Sequence, residues 1–259
     1  MGTYSSRAET QNELLRRLLD LAQRCEKNCC VTSSSFLTPA ECLEAEKLRL
    51  PSDDVKLFLS GGHPECERKM AFFLPFFLSG EDLDVEDAIK LVQIRSFFGE
   101  PGHRDYLGAI LGLGIERNRI GDILINSDTA VVFCMASVVP LLLRELNKVG
   151  RCSVKAEQIS LTDVVSFPER KTRIKEFTVK SMRLDAVAGN MFGISRSTAA
   201  ELIRLGAVSL NYAVCEEPDA QIKANDVISV HGKGKGKISD IGGRSKKDRL
   251  FVEAEIYLN

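Results

Sequence analysis

The stretch that decides the fold of the C-terminal part is residues 183–212, which reads RLDAVAGNMFGISRSTAAELIRLGAVSLNY. A short apolar helix is predicted to end at Gly193, because glycine readily adopts the left-handed conformation that terminates helices. Ser195 has the side chain of an N-cap, so a second helix is predicted to begin there and to end at Gly206. The apolar residues at 208–210 then predict a strand. Two short helices leading into a strand indicate a small α+β domain.

More strands are predicted beyond this stretch. They are separated by the turn dipeptides Asn211-Tyr212 and Asn225-Asp226. The predicted strands cover residues 213–215, 227–230 and 251–258. The domain is therefore predicted to pack two helices on a compact sheet.

Groups suited to phosphate binding are concentrated at the predicted start of the second helix. Ser195, Arg196 and Ser197 lie where unpaired backbone N–H groups and the helix dipole favour an anion. Arg204 follows Arg196 by two turns and is predicted to face the same side, where Arg183 of the first helix can join it. Plain capping is the alternative role for the two serines, and solvation on the surface is the alternative for Arg196.

Asp185 and Asn211 have structural interpretations of their own. Asp185 is interpreted as a helix-start residue or a partner for an arginine, rather than as a catalytic acid. Asn211 stands where a hairpin needs a residue that tolerates unusual backbone angles. We also predict that Asn211 is one of the residues of the binding site.

The order and spacing of these residues resemble the S4 RNA-binding domain. The resemblance extends over Arg183-Leu184-Asp185, residues 193–197, residues 203–208, Asn211 and residues 225–228. It implies an RNA-binding fold and an RNA-binding role for the arginines, the serines and Asn211 named above. The family commonly has glycine directly after the asparagine, whereas this chain has Tyr212, which leaves the geometry of that turn open.

The distribution of charge is uneven although the whole chain is close to neutral. The chain has 259 residues, with 35 Lys and Arg against 36 Asp and Glu. Residues 168–259 hold 16 basic and 12 acidic residues, whereas residues 1–167 hold 19 and 24. Within the basic part, the alternating Gly and Lys of residues 231–237 predict a flexible strand or loop that follows a phosphate backbone through Lys233, Lys235 and Lys237. A disordered loop is the alternative.

The middle of the chain, residues 81–165, is predicted to form a ferredoxin-like (RRM-like) domain. Its pattern gives the order strand, helix, strand, strand, helix, strand, which is the split βαβ layout that many RNA-recognition modules share. His103 and Arg104 are predicted to add a second RNA surface at the start of its first helix. The alternatives are a helix-start role for His103 and docking of the middle domain on protein. Phe97 and Phe98 are predicted to pack in the core. The fold by itself does not establish RNA binding.

The remaining residues complete a prediction of an α+β chain in four parts. Residues 1–80 are predicted to form an α/β segment with an amphipathic first helix, a second helix beginning at Thr38-Pro39 and a strand at 55–59. The parts are residues 1–80, the middle domain 81–165, a basic linker 166–180 and the S4 RNA-binding domain 181–259.

The rest of the chain carries a second resemblance, to the YlmH group of bacterial proteins. It rests on Glu67-Arg68-Lys69, residues 103–109, Gly114-Ile115, residues 119–123 and residues 148–151. It implies binding to the large ribosomal subunit and peptidyl-tRNA during rescue of stalled translation, together with a link to cell division.

Several other classes of function are disfavoured by the sequence. A run of about 18 apolar residues is absent, so no membrane span is expected. The eight cysteines form no paired C-x-x-C motifs, so we expect free thiols and no metal site. We predict no catalytic residues and no cofactor, and therefore a non-enzymatic protein. We also predict that it is a cytoplasmic monomer and that it binds structured rRNA or tRNA. An RNA-modifying enzyme such as a pseudouridine synthase, and a protein–protein scaffold, remain the alternatives.

Overall fold

The computed structural model describes residues 3–163, 172–245 and 247–257, with the backbone only for residues 3–11. The chain divides into two compact units, residues 1–168 and residues 169–259. Among the described residues, none of the helices has the length and apolar character needed to cross a lipid bilayer. Helix and strand are mixed throughout, as the predicted α+β class requires.

The first unit contains four helices and eight strands in its described residues. They are α1 (Thr3–Asn28), β1 (Thr32–Leu37), α2 (Pro39–Glu46), β2 (Val55–Ser60), β3 (Lys69–Pro75), β4 (Ile89–Ser96), α3 (His103–Gly112), β5 (Ile120–Asn126), β6 (Thr129–Met135), α4 (Val139–Glu145), β7 (Lys148–Val149) and β8 (Cys152–Ile159).

The N-terminal segment is a three-stranded antiparallel sheet, ordered β1-β3-β2, with two helices. The apolar stripe of α1, including Leu18 and Ala22, packs with Phe73 of β3. Thr38 starts α2 as predicted: its hydroxyl accepts from the Glu41 N–H, and the Glu41 carboxylate accepts from the Thr38 N–H. The sequence predicted only one strand in this segment, at residues 55–59, and included neither β1 nor β3.

A five-stranded sheet, ordered β5-β6-β4-β8-β7, forms the middle segment. Its elements follow the predicted order of strand, helix, strand, strand, helix, strand, with the two-residue strand β7 added before the last. The observed order of strands is compatible with a split βαβ layout, and the ferredoxin-like assignment stays a prediction. Tyr106 and Ile110 of α3 and Leu142 of α4 pack on one face of this sheet, beside Val92 and Val132.

The opposite face of the five-stranded sheet packs against the N-terminal sheet. Ile89 and Leu91 of β4 and Phe133 of β6 lie in one buried cluster with Phe72 and Leu74 of β3. These side chains are at most 1% exposed. The N-terminal and middle segments therefore share a core, although a boundary between two parts is predicted at residue 80.

Polar contacts close the junction between these two sheets. The Asp122 carboxylate accepts backbone N–H bonds from Glu67 at 2.6 Å and Arg68 at 3.3 Å. The Arg68 guanidinium donates to the carbonyls of Ile120 and Phe36 at 3.1 and 3.2 Å. Burial lowers the pKa of Arg68 from its ordinary value. Arg68 therefore joins the segments through hydrogen bonds that the hydrophobic core could not supply.

The second unit contains two helices and six strands in its described residues. They are β9 (Thr172–Val179), α5 (Leu184–Phe192), α6 (Arg196–Arg204), β10 (Val208–Leu210), β11 (Ala213–Val214), β12 (Val227–Val230), β13 (Gly234–Arg244) and β14 (Leu250–Tyr257). The sheet order is β11-β10-β12-β13-β14-β9, and each neighbouring pair is antiparallel. The two helices pack on one face, where Val187, Met191 and Ile203 join Ile238 and Ala254 in the core.

The predicted basic linker, residues 166–180, is corrected in its second half. Residues 166–171 lie outside the described residues. Residues 172–179 form β9, which pairs along its whole length with β14. The C-terminal unit therefore begins before residue 181, because its sheet requires this strand.

Candidate nucleic-acid interface

Asp185 brings two of the predicted arginines together. This carboxylate is 4% exposed in the first turn of α5. Arg183 donates Nε to Oδ1 at 3.3 Å and Nη2 to Oδ2 at 3.1 Å, and Arg196 donates Nη2 to the same Oδ2 at 3.1 Å. The prediction that Asp185 partners an arginine is confirmed, but its second partner, Arg196, was not foreseen.

The charge of Asp185 is maintained by these two guanidinium groups. Burial raises the pKa of the carboxyl, but the hydrogen bonds from Arg183 and Arg196 outweigh that effect and hold the pKa below its ordinary value. The carboxylate therefore stays ionised at neutral pH. It fixes both arginines while leaving 35% and 60% of their side chains exposed.

The start of α6 has the predicted capping geometry. The Ser195 Oγ accepts from the Thr198 N–H at 3.0 Å. The same hydroxyl lies 2.8 Å from the Ser197 Oγ and 2.7 Å from the Thr198 Oγ1. Both serines are exposed. The capping role of Ser195 is thus observed, and contact of these hydroxyls with phosphate stays a prediction.

A cleft of about 330 Å³ lies beside the start of α6. It is lined by Val179, Lys180, Ser181, Ala186, Gly189, Asn190, Ile194, Arg196 and Arg249. Within the described part of the unit, the charged groups that line it are Lys180, Arg196 and Arg249, all cations. Arg249 is held there by bonds from its guanidinium to the Thr178 hydroxyl and carbonyl. Three cations around one concave surface favour an anionic ligand.

Lys175, a cation of the predicted basic linker, has a structural role. The Lys175 Nζ donates to the carbonyls of Asn190 and Met191, at 2.6 and 3.1 Å. These carbonyls belong to the last turn of α5, where a cation is favourable. Lys175 thus stabilises the helix end instead of lining the cleft.

The segment Lys233–Lys237, predicted to be a flexible strand or loop, is a strand over most of its length. Lys233 is in a turn, and β13 begins at Gly234. A Cβ at Gly236 would lie 3.1 Å from the Met191 Sδ, so this position faces helix α5. Because side chains alternate along a strand, Lys235 and Lys237 point to the other face of the sheet. The structure therefore does not bring these lysines together with Arg183 and Arg196.

Asn211 serves the turn between β10 and β11. Its side-chain nitrogen donates to the Asp226 Oδ1 at 2.8 Å, and its side-chain oxygen accepts from the Val227 N–H at 2.9 Å. Asn211 and Tyr212 have φ angles of 48° and 67°, which is the geometry of a type I′ hairpin turn. The turn is kept although Tyr212 replaces the commoner glycine.

Arg204 lies apart from the Asp185 cluster within the second unit, and His103 and Arg104 belong to the first unit. Arg204 occupies the far end of α6 from Arg196 and is exposed. His103 and Arg104 open helix α3 in the first unit, also exposed, so the predicted helix-start position is observed. Partial desolvation and the nearby Arg117 lower the pKa of His103 from its ordinary value. A neutral imidazole at pH 7 supplies no cation for a phosphate.

In the described range 3–163, the middle sheet does not offer an open aromatic surface of the kind that RRM domains use for stacking bases. The N-terminal sheet covers its face at Leu91, and the positions of β4 further along that face carry Gln93 and Arg95. Phe97 and Phe98, predicted to be in the core, are instead 56% and 81% exposed. The apolar character of this pair suggested burial, but the two residues follow β4 in a loop beyond the packed part of the sheet.

Three family models match successive parts of the chain. The YlmH N-terminal model matches residues 10–72, the putative RNA-binding domain in YlmH matches residues 83–163, and the S4 domain matches residues 182–228. A Bacillus subtilis (strain 168) protein called "Ribosome-associated protein quality control protein P2" is 33% identical over 202 residues. That match covers 78% of this chain and 78% of the relative. The chain belongs to the YlmH family.

A solved structure supports the fold of this YlmH-family chain. The "Cell division protein ylmH from Streptococcus pneumoniae" has a TM-score of 0.52 and 22% identity, covering 61% of this chain and 95% of that one. The S4 match confirms the prediction of an S4 domain in the C-terminal part. Of the residues discussed above, Asp185 and Arg196 lie inside the S4 match, whereas Lys180, Lys235 and Arg249 lie outside it.

Proposed function

We propose that this YlmH-family chain is a non-enzymatic RNA-binding protein that acts at the ribosome. Its ligand is the rRNA of the large subunit or a tRNA bound there, including peptidyl-tRNA during quality control of stalled translation. The YlmH and S4 matches and the ribosome-associated relative support this class of role. The observation that carries the proposal is the pair of arginines held by one buried carboxylate beside a cationic cleft.

Phosphate recognition at this site follows from its geometry. Arg183 and Arg196 are oriented by Asp185 before any ligand arrives, so less side-chain freedom is lost on binding. Guanidinium N–H groups that Asp185 does not engage, together with Lys180 and Arg249, supply donors for phosphate oxygens. Contacts to phosphates and to RNA shape position the nucleic acid, and no bond is made or broken. The protein works in this way as a cytoplasmic monomer.

RNA affinity measured across a range of salt concentrations tests this proposal. Replacing Arg196 by Ala is expected to weaken binding and to reduce the slope of log affinity against log salt by about 1, because one phosphate contact is lost. Arg144→Ala makes the same change of charge at an exposed arginine of the first unit, which pairs with Glu145. Equal effects of the two substitutions would show that the interface is elsewhere.

Two further measurements test the ribosomal and non-enzymatic parts of the proposal. The wild-type protein is expected to sediment with purified large subunits, and the Arg196→Ala variant to do so less. Failure of the wild type to bind large subunits would overturn the ribosomal assignment. Mass spectrometry of RNA incubated with the protein is expected to find unchanged nucleosides, and a new modified base would overturn the non-enzymatic assignment.

A further inference from the structure

A second candidate surface lies on the sheet face opposite helices α5 and α6. Tyr212 holds its backbone in the left-handed region, with a φ of 67°. Bulky L residues rarely adopt this conformation, and glycine adopts it without strain. The second position of a type I′ turn therefore favours glycine. A strained tyrosine at a position that favours glycine suggests that its ring has a use.

The ring of Tyr212 lies in a small cluster of aromatic and cationic groups. The Lys235 Nζ is 4.7 Å from the centroid of the Tyr212 ring and 5.6 Å from that of Tyr257. Lys235 and Tyr257 are directly opposite each other on β13 and β14. Tyr212, Lys235 and Tyr257 are all half-buried, so the cluster still reaches solvent. Cation–π contacts of this kind hold the lysine over the rings.

The alternation of β13 places a further cation on the same face. Lys237 follows Lys235 by two residues, and Gly236 between them faces Met191 of α5. Lys237 is half-exposed and lies opposite Glu255. The face thus combines aromatic rings and two ammonium groups with the Glu255 carboxylate, and it lies on the side of the sheet away from α5.

We propose that the Tyr212 ring is a stacking platform for one unpaired RNA base, with Lys235 and Lys237 binding the adjoining phosphates. This inference rests on the proposed RNA-binding function. Aromatic rings with neighbouring cations match the two chemical parts of a nucleotide, a planar base and an anionic backbone. Stacking on an aromatic side chain accepts any base, so this surface selects an unpaired nucleotide by shape rather than by sequence.

Tyr212→Gly separates a functional ring from a structural one. Glycine relieves the backbone strain at this turn, so the variant is expected to fold with an unchanged or higher melting temperature. Loss of the stacking ring is expected to weaken RNA binding by about 5- to 150-fold. The slope of affinity against salt is expected to stay the same, because no charge is removed. Tyr212→Phe keeps the ring and serves as the matched control, with binding close to that of the wild type.

The probe is an RNA hairpin that carries 2-aminopurine at an unpaired loop position. Its fluorescence is expected to fall when wild type or Tyr212→Phe binds, and to stay high with Tyr212→Gly at saturating protein. Lys237→Gln is expected to keep this quenching and to lower the salt slope by about 1. Wild-type affinity and full quenching in Tyr212→Gly would overturn the stacking proposal. Absence of RNA binding by the wild type would instead overturn the proposed function itself.

Discussion

Replacing Asp185 by Asn tests whether the arginines must be held in place. The amide keeps the size of the side chain but loses the charge that accepts three guanidinium hydrogen bonds. Hydrogen bonds to charged groups are worth about 1.5–3 kcal/mol each. Both arginines keep a third or more of their side chains in water, and the new amide oxygen can still accept from one of them. We therefore expect a total loss of about 2 kcal/mol.

This loss is measurable by thermal unfolding. For a unit of this size, about 2 kcal/mol corresponds to a fall in melting temperature of about 8–16 °C. The folded-state pKa of Asp185 lies below the ordinary value near 3.9, so the stabilisation is present above that value and is lost as the pH falls through the folded pKa. The difference between wild type and variant is therefore expected at neutral pH and to shrink in acid.

The effect of Asp185→Asn on RNA binding distinguishes two explanations of how Asp185 influences that binding, namely its charge alone or its positioning of the arginines. Asp185→Asn raises the net charge by one, so a mechanism that depends only on charge predicts tighter binding. Positioning of Arg183 and Arg196 predicts weaker binding instead. Glu201→Gln makes the same change of charge at an exposed residue of α6, and should leave the melting temperature almost unchanged. Tighter binding by Asp185→Asn, equal to that of Glu201→Gln, would refute the positioning role.

Three further predictions concern packing and burial. Gly236→Ala should destabilise the C-terminal unit by about 1–3 kcal/mol, because its Cβ would lie 2.7 Å from a backbone oxygen. Gly243→Ala in the same strand meets no atom within 4 Å and should leave the denaturant midpoint unchanged; equal losses would refute the clash. Arg68→Met should cost the first unit about 2–3 kcal/mol by leaving backbone carbonyls without their donor, and an unchanged denaturation curve would contradict this role. Burial raises the pKa of the Cys66 thiol to about 12, so iodoacetamide at pH 8 should modify exposed Cys30 and spare Cys66, as read by mass spectrometry of the native protein. Rapid labelling of Cys66 would show that this part of the core opens.

Local sequence signals predicted the helices of the C-terminal unit and their ends. Ser195 caps α6, and the glycines that end the two helices, Gly193 and Gly206, have φ angles of 67° and 69°. Capping and left-handed termination depend on a few neighbouring residues, so the sequence contains the information needed. For the same reason Asp185 was recognised as a partner for an arginine, since Arg183 is two residues away.

For the start of β13, the sequence left a flexible strand and a loop both open, because the composition there is untypical of a strand. Gly234, Lys235, Gly236 and Lys237 have low intrinsic preference for strands, and the alternation was interpreted as a flexible basic segment. The period of two was nevertheless a signal: the glycine positions lie under α5, and the lysine positions face away. That division depends on the helix packed above the strand, which no local rule supplies.

Tertiary contacts account for the other differences. The N-terminal sheet packs over Leu91 and Phe133, and this contact brings together strands that are far apart in the sequence. The exposure of Phe97 and Phe98 follows from where that cover ends. Arg249 reaches the cleft only because β14 pairs with β9. Sequence patterns therefore could not predict that Arg249 lines the same cleft as Arg196.

The pairing of β9 with β14 has a consequence for the order in which the protein is made. Residues 172 and 257 are register partners, and every other strand of that sheet lies between them in the chain. During synthesis, α5 and α6 leave the ribosome while β9 still lacks its neighbour. The sheet can close only after residue 257 has been translated and has left the exit tunnel. Long-range pairing of this kind is slow relative to helix formation. A nascent chain of this protein therefore completes its cationic cleft only after translation has passed β14.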